Sequence, residues 1–269
     1  MSKNVPLSGH WAIILGGSSG FGFASAEKLA QEGMNIAALY RETSLTEKAL
    51  IKRFGNIAAA NGVTILPYNI NALNTEGREK FIKNFTAERG VSKQSVKLLL
   101  HSIARGNLKP LAGPGDESEE LSSEDIHFTT YAMSNSLLDW TRAILKAELF
   151  HADARIIGLT SEGAHKYWDG YAAVSIAKAS LESLAKYMAV EFAPFGLKTN
   201  LIQAGITETS SLKMIPGSEK LLEIGQSRNP MGRMTQPEDV ARVIYLLCTD
   251  EAFWINGSLI HVDGGEHCR

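Results

Sequence analysis

Short apolar runs alternate along this chain with longer segments whose apolar residues recur every three to four positions. The short runs, rich in aliphatic and β-branched residues, predict buried strands, whereas the longer periodic segments predict helices. Because parallel strands need crossover connections, the alternation predicts one α/β domain over residues 1–269, a doubly wound parallel sheet with helices on both faces. The seven predicted strands are Ala12–Leu15, Asn35–Tyr40, Val63–Pro67, Val96–Leu100, Arg155–Leu159, Lys198–Ile202 and Ser258–Val262.

Two segments interrupt this alternation. Gly106–Ser123 is rich in Gly, Pro and acidic residues, and Thr207–Gly232 has a weaker helical pattern between Gly and Pro residues. Each follows a predicted strand at its carboxyl end, the edge at which open α/β sheets bind ligands. We therefore expect both to be substrate loops, with a lid over about 206–232, and we expect the acidic run Asp116–Glu120 to be solvated.

Composition narrows the class of protein. The 269 residues are 44% hydrophobic and 21% charged, with a net charge of -2, so the chain lacks the basic excess of a nucleic-acid-binding protein. No apolar run approaches the ~18 residues of a membrane span, and Met1–Trp11 lacks the apolar block of a signal peptide. The expectation is a cytoplasmic protein with no membrane contact, two plain thiols at Cys248 and Cys268, and no metal site.

A glycine-rich turn follows the first predicted strand. Gly16, Gly20 and Gly22 form G-x-x-x-G-x-G between that strand and the helical run Ala24–Gln31. Glycine permits unusual backbone angles and leaves room for a diphosphate, and a helix N-terminus supplies amide donors and partial positive charge. The turn predicts nucleotide binding. The cofactor contacts expected here are Gly16, Ser18, Ser19, Gly20, Phe21 and Gly22.

The end of the second predicted strand bears on which nucleotide binds. NAD-binding sheets usually place an acidic residue there to bind the ribose, but this strand ends in Tyr40, Arg41 and Glu42. A guanidinium suits a 2′-phosphate, so Arg41 favours NADPH, with NADH as the alternative. In that alternative Arg41 points into solvent while Glu42 contacts the ribose.

Tyr171 precedes Lys178 by seven positions. A hydroxyl acid and a fixed ammonium beside a nucleotide site favour proton-coupled hydride transfer. On a helix, separations of four and of seven residues both return to nearly the same side, but seven adds about 4.5 Å of rise. The commoner alternatives for single residues are a packed tyrosine and a surface lysine.

Taken in order, the motifs resemble the short-chain dehydrogenase/reductase superfamily over nearly the whole chain. Three features are similar to its divergent branch of enoyl-acyl-carrier-protein reductases: His-Ser-Ile-Ala at 101–104, six residues between Tyr171 and Lys178, and Ala-Gly at 204–205. The matching pieces are the glycine turn, Asn69-Ile70, His101 to Ala104, Asn135, Tyr171 to Lys178, Asn200 to Thr209, and Val262 to Gly265.

The resemblance implies a Rossmann-type fold and a role for each matching residue. Tyr171 would hydrogen-bond or protonate the enolate oxygen, and Lys178 would hold the nicotinamide ribose and stabilise the tyrosinate. His101 is interpreted as a structural or ribose-side contact. The remaining implied cofactor contacts are Asn69, Ile70, Ser102, Ile103, Ala104, Ala204, Gly205, Ile206 and Thr209.

Three positions leave alternatives open. Ser161 stands where many enoyl reductases have a tyrosine, as in a minority bacterial type closer to ketoacyl reductases, and is either a substrate-polarising hydroxyl or a strand-end cap. Tyr167 is either a second acid or, as we favour, part of a packed wall. Asn135 either holds a water near the lysine, as in ketone-reducing relatives, or is a buried asparagine at a helix kink.

The sequence therefore predicts NADPH-dependent reduction of the C=C bond of a trans-2-enoyl thioester carried on acyl carrier protein or coenzyme A. The alternatives are a carbonyl, 3-ketoacyl or alcohol oxidoreductase and a non-catalytic cofactor-binding protein. Relatives assemble as dimers or tetramers through helices corresponding to Ser123–Phe150 and Tyr171–Ala193, so we expect a homotetramer. An apolar stripe on the second helix either forms that contact or faces the sheet: Leu181, Leu184, Tyr187 and Met188.

Overall fold

The computed structural model describes residues 7–113 and 119–269. Within them, seven parallel strands form one sheet in the order β3-β2-β1-β4-β5-β6-β7. The order reverses direction between β1 and β4, as in doubly wound sheets. The strands are β1 (Trp11–Leu15), β2 (Asn35–Tyr40), β3 (Ile65–Asn69), β4 (Val96–His101), β5 (Phe150–Thr160), β6 (Leu197–Ala204) and β7 (Leu259–Val262).

Eight α-helices and a π-helical segment cover the sheet in the described part of the chain. The π-helix, Tyr131–Asn135, joins α4 and α5. The α-helices are α1 (Gly20–Gln31), α2 (Ser44–Asn61), α3 (Thr75–Ala87), α4 (Ser123–Thr130), α5 (Ser136–Lys146), α6 (Ala172–Glu191), α7 (Ser218–Arg228) and α8 (Pro237–Cys248). None of the helices described is long and apolar enough to cross a membrane.

Alternating strand residues supply two cores, one on each face. On one face Ile14, Ile36 and Leu100 pack with residues of α1, α2 and α8. On the other, Ile13 and Leu99 pack with residues of α3, α5 and α6. Both faces of the central strands are buried, which explains why these strands read as continuous apolar runs rather than as alternating patterns.

All seven predicted strands are present, with shifts at their ends. The third begins at Ile65 rather than at Val63, and the fifth extends back to Phe150. The long helix expected over Ser123–Phe150 is divided by the π-helix and ends at Lys146. The predicted loop over Gly106–Ser123 and the acidic run Asp116–Glu120 include residues 114–118, which lie outside the described residues.

The apolar stripe of α6 faces mainly the sheet. Leu181 and Met188 are buried in the core, Leu184 packs against that core, and only Tyr187 is largely exposed. A helix that covers a sheet directs its apolar side inward. The stripe is therefore a core feature, and a homotetramer stays a prediction.

Candidate active site

A cleft of about 280 Å³ opens at the carboxyl edge of the sheet, between the ends of β1, β2 and β4. Its walls are the glycine turn, the loops after β2, β3 and β4, and the start of the segment after β6. Eleven of the predicted cofactor residues line it: Gly16, Ser18, Ser19, Gly20, Phe21, Arg41, Ile70, Ser102, Ile103, Ala104 and Thr209.

The glycines of the turn have separate physical roles. A Cβ at Gly16 would lie 2.3 Å from the Ser102 carbonyl oxygen, and a Cβ at Gly22 would lie 2.0 Å from that of Gly16. These two glycines therefore allow backbones to pack, and Gly22 does not line the cleft. Gly20 has a φ of +51° and begins α1.

The N-terminus of α1 is free to bind an anion. The N-cap residue, Ser19, makes no side-chain cap, and the first turn contains no acidic residue. The amide groups and the helix dipole therefore favour a phosphate here. The hydroxyls of Ser18 and Thr209 also border the cleft.

Arg41 and Glu42, which the sequence left as alternatives, lie in different positions. Arg41 lines the cleft. The Glu42 carboxylate accepts from Thr46 Oγ1 at 3.0 Å, and its backbone bonds with the Asn69 side chain in both directions. Asn69 thus holds the loop after β2 and does not line the cleft.

The cleft carries positive charge. No carboxylate is among its described lining residues, whereas two arginines, Arg41 and Arg105, are. Sequence reasoning missed Arg105, although it directly follows the recognised run 101–104. It also missed other lining residues, namely Leu39, Tyr40, Asn71, Ala72, Leu73, Ser210 and Ser211.

Tyr171 and Lys178 meet the end of β5. Tyr171 is the N-cap residue of α6 and donates its hydroxyl to Ser161 Oγ at 3.5 Å. Lys178, buried two turns into the helix, donates to the Leu159 carbonyl at 2.8 Å. Strand and helix therefore bring a phenol and an ammonium to neighbouring positions at one strand end.

Burial changes the acidity of both groups. Burial raises the pKa of the Tyr171 phenol, and the hydrogen bond with Ser161 partly offsets this. Burial lowers the pKa of Lys178 to about 8. A phenol that stays protonated at neutral pH suits a proton donor.

Ser161 is a cap at the end of β5, one of the two roles that the sequence left open, and its role in polarising the substrate stays a prediction. Its Oγ accepts from the Gly163 amide at 3.1 Å and so caps the short 3₁₀ turn Glu162–Ala164, while it also bonds with Tyr171. Gly163 is needed beside it, because a Cβ there would lie 2.5 Å from the Tyr171 ring. The turn therefore contacts Tyr171 twice, through the Ser161 hydroxyl and through the Gly163 backbone beside the ring.

Two interpretations of candidate residues are wrong. Asn135 is exposed, because the π-helix turns the serines on either side of it inward instead, so it is not a buried asparagine at a kink, and its part in a relay stays a prediction. Ser134 bonds with Ser180. Tyr167 is 86% exposed and bonds with Asp169, so it forms no packed wall.

His101 is a structural residue at the end of β4. It is buried, and its Nε2 lies 2.8 Å from Ser136 Oγ on α5. Burial and the Lys178 charge lower the pKa of His101 to about 3, so the ring is neutral. It does not line the cleft.

The segment Ala204–Ile206 also lies outside the cleft lining. The Gly205 amide donates to the Val262 carbonyl, and the Ile206 amide donates to both carboxylate oxygens of Glu266 at 3.2 Å. Glu266 is 2% exposed. Nothing in the sequence distinguished this glutamate, since its partners are distant along the chain.

Comparison with known proteins identifies the family of this chain. A family model described as enoyl-(acyl carrier protein) reductase matches residues 16–267. The chain belongs to this family. It is accordingly an NAD(P)H-dependent oxidoreductase of the short-chain dehydrogenase/reductase superfamily.

Individual relatives include both C=C and C=O reductases. The chain is 29% identical over 266 residues to the enoyl-[acyl-carrier-protein] reductase [NADH] FabI of Aquifex aeolicus, covering 97% of this chain and 92% of that protein. The crystal structure of the Aquifex aeolicus enzyme matches with a TM-score of 0.79 at 28% identity, covering 98% of each chain. The 3-oxoacyl-[acyl-carrier-protein] reductase FabG of Vibrio cholerae is 28% identical over 261 residues, covering 96% of this chain and 98% of that protein.

Proposed function

We propose that this enzyme uses NADPH to reduce the C=C bond of a trans-2-enoyl thioester carried on acyl carrier protein or coenzyme A. The observation that carries the proposal is the partly buried Tyr171 phenol, held by Ser161 ahead of α6 and seven residues from Lys178. A phenol displaced along the helix axis from the lysine suits the thioester oxygen, which is remote from the reduced carbon. The family match supports the same reaction.

The cleft residues fit a nicotinamide dinucleotide. The α1 N-terminus with Ser18 and Ser19 would hold the diphosphate, and Arg41 would bind a 2′-phosphate. The absence of a carboxylate from the described cleft lining favours the phosphorylated cofactor. When bound, the reduced cofactor supplies a hydride to the β-carbon of the substrate.

Side chains of the protein would stabilise the negative charge that hydride transfer creates on the substrate. As the electron pair moves onto the thioester oxygen, Tyr171 Oη is the donor for that oxygen, and Ser161 keeps the phenol oriented. Lys178 remains buried and positively charged below its pKa of about 8. Its charge stabilises the negative charge left on the phenol.

The second candidate is 3-oxoacyl thioester reduction. A serine hydroxyl bonded to the proton-donating tyrosine also suits a carbonyl substrate, and the Vibrio cholerae relative is named for that reaction. Both candidates share the acyl thioester as substrate class. They differ only in the bond that is reduced.

Oxidation of NADPH with a trans-2-enoyl thioester and with the 3-oxoacyl thioester of the same chain length tests the proposal. Each is offered on coenzyme A and on acyl carrier protein, and each assay is repeated with NADH. Turnover of the enoyl substrate alone is the expected result. Turnover of the 3-oxoacyl substrate alone would reject the first candidate and support the second. The Tyr171→Phe variant, purified in the same way, is the control for contaminating reductases.

A further inference from the structure

Four charged side chains form an ion cluster beside the 3₁₀ turn that carries Ser161. Arg228, the last residue of α7, directs Nη2 to Glu162 Oε2 at 2.5 Å and to Glu266 Oε1 at 2.8 Å. Lys166 lies 2.6 Å from the other oxygen of Glu162. The two cations and two anions balance, and we call this set the Arg228 cluster.

The cluster is more buried than a surface ion pair. The side chains of Arg228 and Glu162 are 19% and 23% exposed, and that of Glu266 is 2% exposed. Buried pairs add little net stability because both charges must be desolvated, whereas removing one partner is costly. The cluster joins three segments that are distant in sequence, namely the end of α7, the 3₁₀ turn after β5 and the segment after β7.

Glu162 connects the cluster to the proton donor. It lies between Ser161, which accepts from the Tyr171 hydroxyl, and Gly163, whose backbone packs against the Tyr171 ring. Glu162 is therefore covalently joined to both residues that contact the phenol. The Arg228–Glu162 contact spans 66 positions in sequence and is made from outside the turn.

Glu266 connects the same guanidinium to the segment after β6. Its carboxylate accepts the Ile206 amide, and a Cβ on Gly205 would lie 2.9 Å from Glu266 Oε2. One side chain at the end of α7 thus joins the proton-donor turn to a third element. No other charged side chain in the described residues contacts both carboxylates.

We propose that Arg228 is a positioning residue for Tyr171, acting through Glu162 on the turn that seats the phenol. The proposal rests on the proposed role of Tyr171 as proton donor. It predicts that breaking the Arg228–Glu162 contact displaces the phenol while the cleft keeps its shape, because no residue of the Arg228 cluster lines the cleft.

Three variants separate this contact from its surroundings. Glu162→Ala removes it and leaves Arg228 paired with Glu266, so no buried carboxylate loses its partner. Glu162→Gln keeps an oxygen that accepts from Nη2 and should restore part of the effect. Lys166→Ala is the matched control, because it removes the other cation on Glu162 and is half-exposed.

The first measurement is ¹⁹F NMR of protein labelled with 3-fluorotyrosine, with Tyr171→Phe used to assign the resonance. Glu162→Ala should move or broaden the Tyr171 signal, Glu162→Gln should do so less, and Lys166→Ala should leave it unchanged. NADPH affinity should stay within about twofold of wild type. Turnover should fall by ~10- to 10²-fold in kcat with a small change in KM, as expected for a misplaced catalytic group.

An unchanged Tyr171 resonance in Glu162→Ala would overturn the proposal, whatever the melting temperature. An equal displacement in Lys166→Ala would also overturn it, since the cluster charge and not Arg228 would then hold the turn. The NMR result does not depend on turnover. A wild-type protein inactive on enoyl thioesters would therefore reject the proposed function and leave this test valid.

Discussion

At the scale of single residues, Tyr171 is expected to carry the proton that the proposed reduction consumes. Tyr171→Phe keeps the ring against Gly163 and removes only the hydroxyl that bonds with Ser161. Turnover should fall at least ~10²-fold, because a positioned acid contributes on that order, while NADPH affinity is nearly unchanged. Steady-state kinetics and a fluorescence titration measure the two quantities.

Tyr167→Phe is the control for that experiment. Tyr167 is 86% exposed and, among the residues that the structure describes, bonds with nearby Asp169, so loss of its hydroxyl should leave kcat within about twofold of wild type. Wild-type turnover in Tyr171→Phe would remove Tyr171 from the mechanism.

Arg41 is the residue expected to select the cofactor. Arg41→Ala should weaken NADPH by ~10- to 10²-fold, the range for a lost hydrogen bond to a charged group, and should leave NADH almost unaffected. Glu42→Ala is the control, because the Glu42 carboxylate accepts a hydrogen bond from Thr46 and Glu42 does not line the cleft. Equal losses for NADPH and NADH in Arg41→Ala would show that this residue binds no 2′-phosphate.

At the scale of elements, the segment after β6 is tied to the loop before α6. Trp168 Nε1 donates to the Pro216 carbonyl at 3.0 Å, and Gly217 lies against the same indole ring. Together with the Arg228 cluster at the far end of α7, this bond ties both ends of α7, within the predicted lid, to the segment that leads from β5 to Tyr171. These two contacts would restrain any opening of the predicted lid.

Trp168→Phe tests whether that bond restrains the lid. Phenylalanine cannot donate this hydrogen bond and loses the Cζ2 atom beside Gly217, so opening should become easier by at least about 1 kcal/mol, or roughly fivefold in cleavage rate within residues 206–232. Limited proteolysis followed by mass spectrometry measures this rate. Trp254→Phe, at a residue 90% exposed, should cleave at the wild-type rate. The same rate in both variants would show that the bond does not hold the lid.

Local patterns explain which elements the sequence could predict. The strand, the glycine turn and α1 are contiguous in sequence, so their chemistry is readable from adjacent residues. The π-helix could not be predicted from adjacent residues. Arg78 of α3 bonds with Tyr131, and Tyr131 bonds with Asp139. Tertiary contacts therefore stabilise the segment that turns Asn135 outward. The contacts of Glu266 could not be predicted from the sequence either, because its partners come from α7 and from the segment after β6.

At the scale of the whole molecule, the two edges of the sheet have separate tasks. The carboxyl edge holds the cleft and Tyr171, whereas the opposite edge holds a charged cluster centred on Asp153. Lys97 of β4 and Lys198 of β6 contact the Asp153 carboxylate at 2.8 and 2.6 Å, and Arg155 of β5 contacts it as well. Arg155 is fully buried and also donates to the Leu247 carbonyl of α8. This cluster joins three strands to a helix without reaching the active site.

Asp153→Asn should therefore reduce stability without reducing activity. It leaves buried cations without a counter-charge, so the free energy of unfolding should fall by about 3–5 kcal/mol at neutral pH. Asp250→Asn is the control, because that carboxylate is 97% exposed and lies 4.0 Å from Lys97. Urea unfolding and kcat below the unfolding range measure the two effects, and a loss of kcat in soluble, folded Asp153→Asn would contradict the separation.

The pH dependence supplies an independent check on Asp153. Burial alone would raise the pKa of this carboxyl, but hydrogen bonds from Arg155, Lys198 and Lys97 hold it well below its ordinary value of 3.8. The stabilisation is then fully present above the unfolded pKa and is lost as pH falls towards the folded one. The difference in unfolding free energy between wild type and Asp153→Asn should be constant from neutral pH down to about pH 5 and shrink below about pH 4. A difference that persists undiminished in acid would mean that packing of the side chain, and not its charge, holds the three strands together.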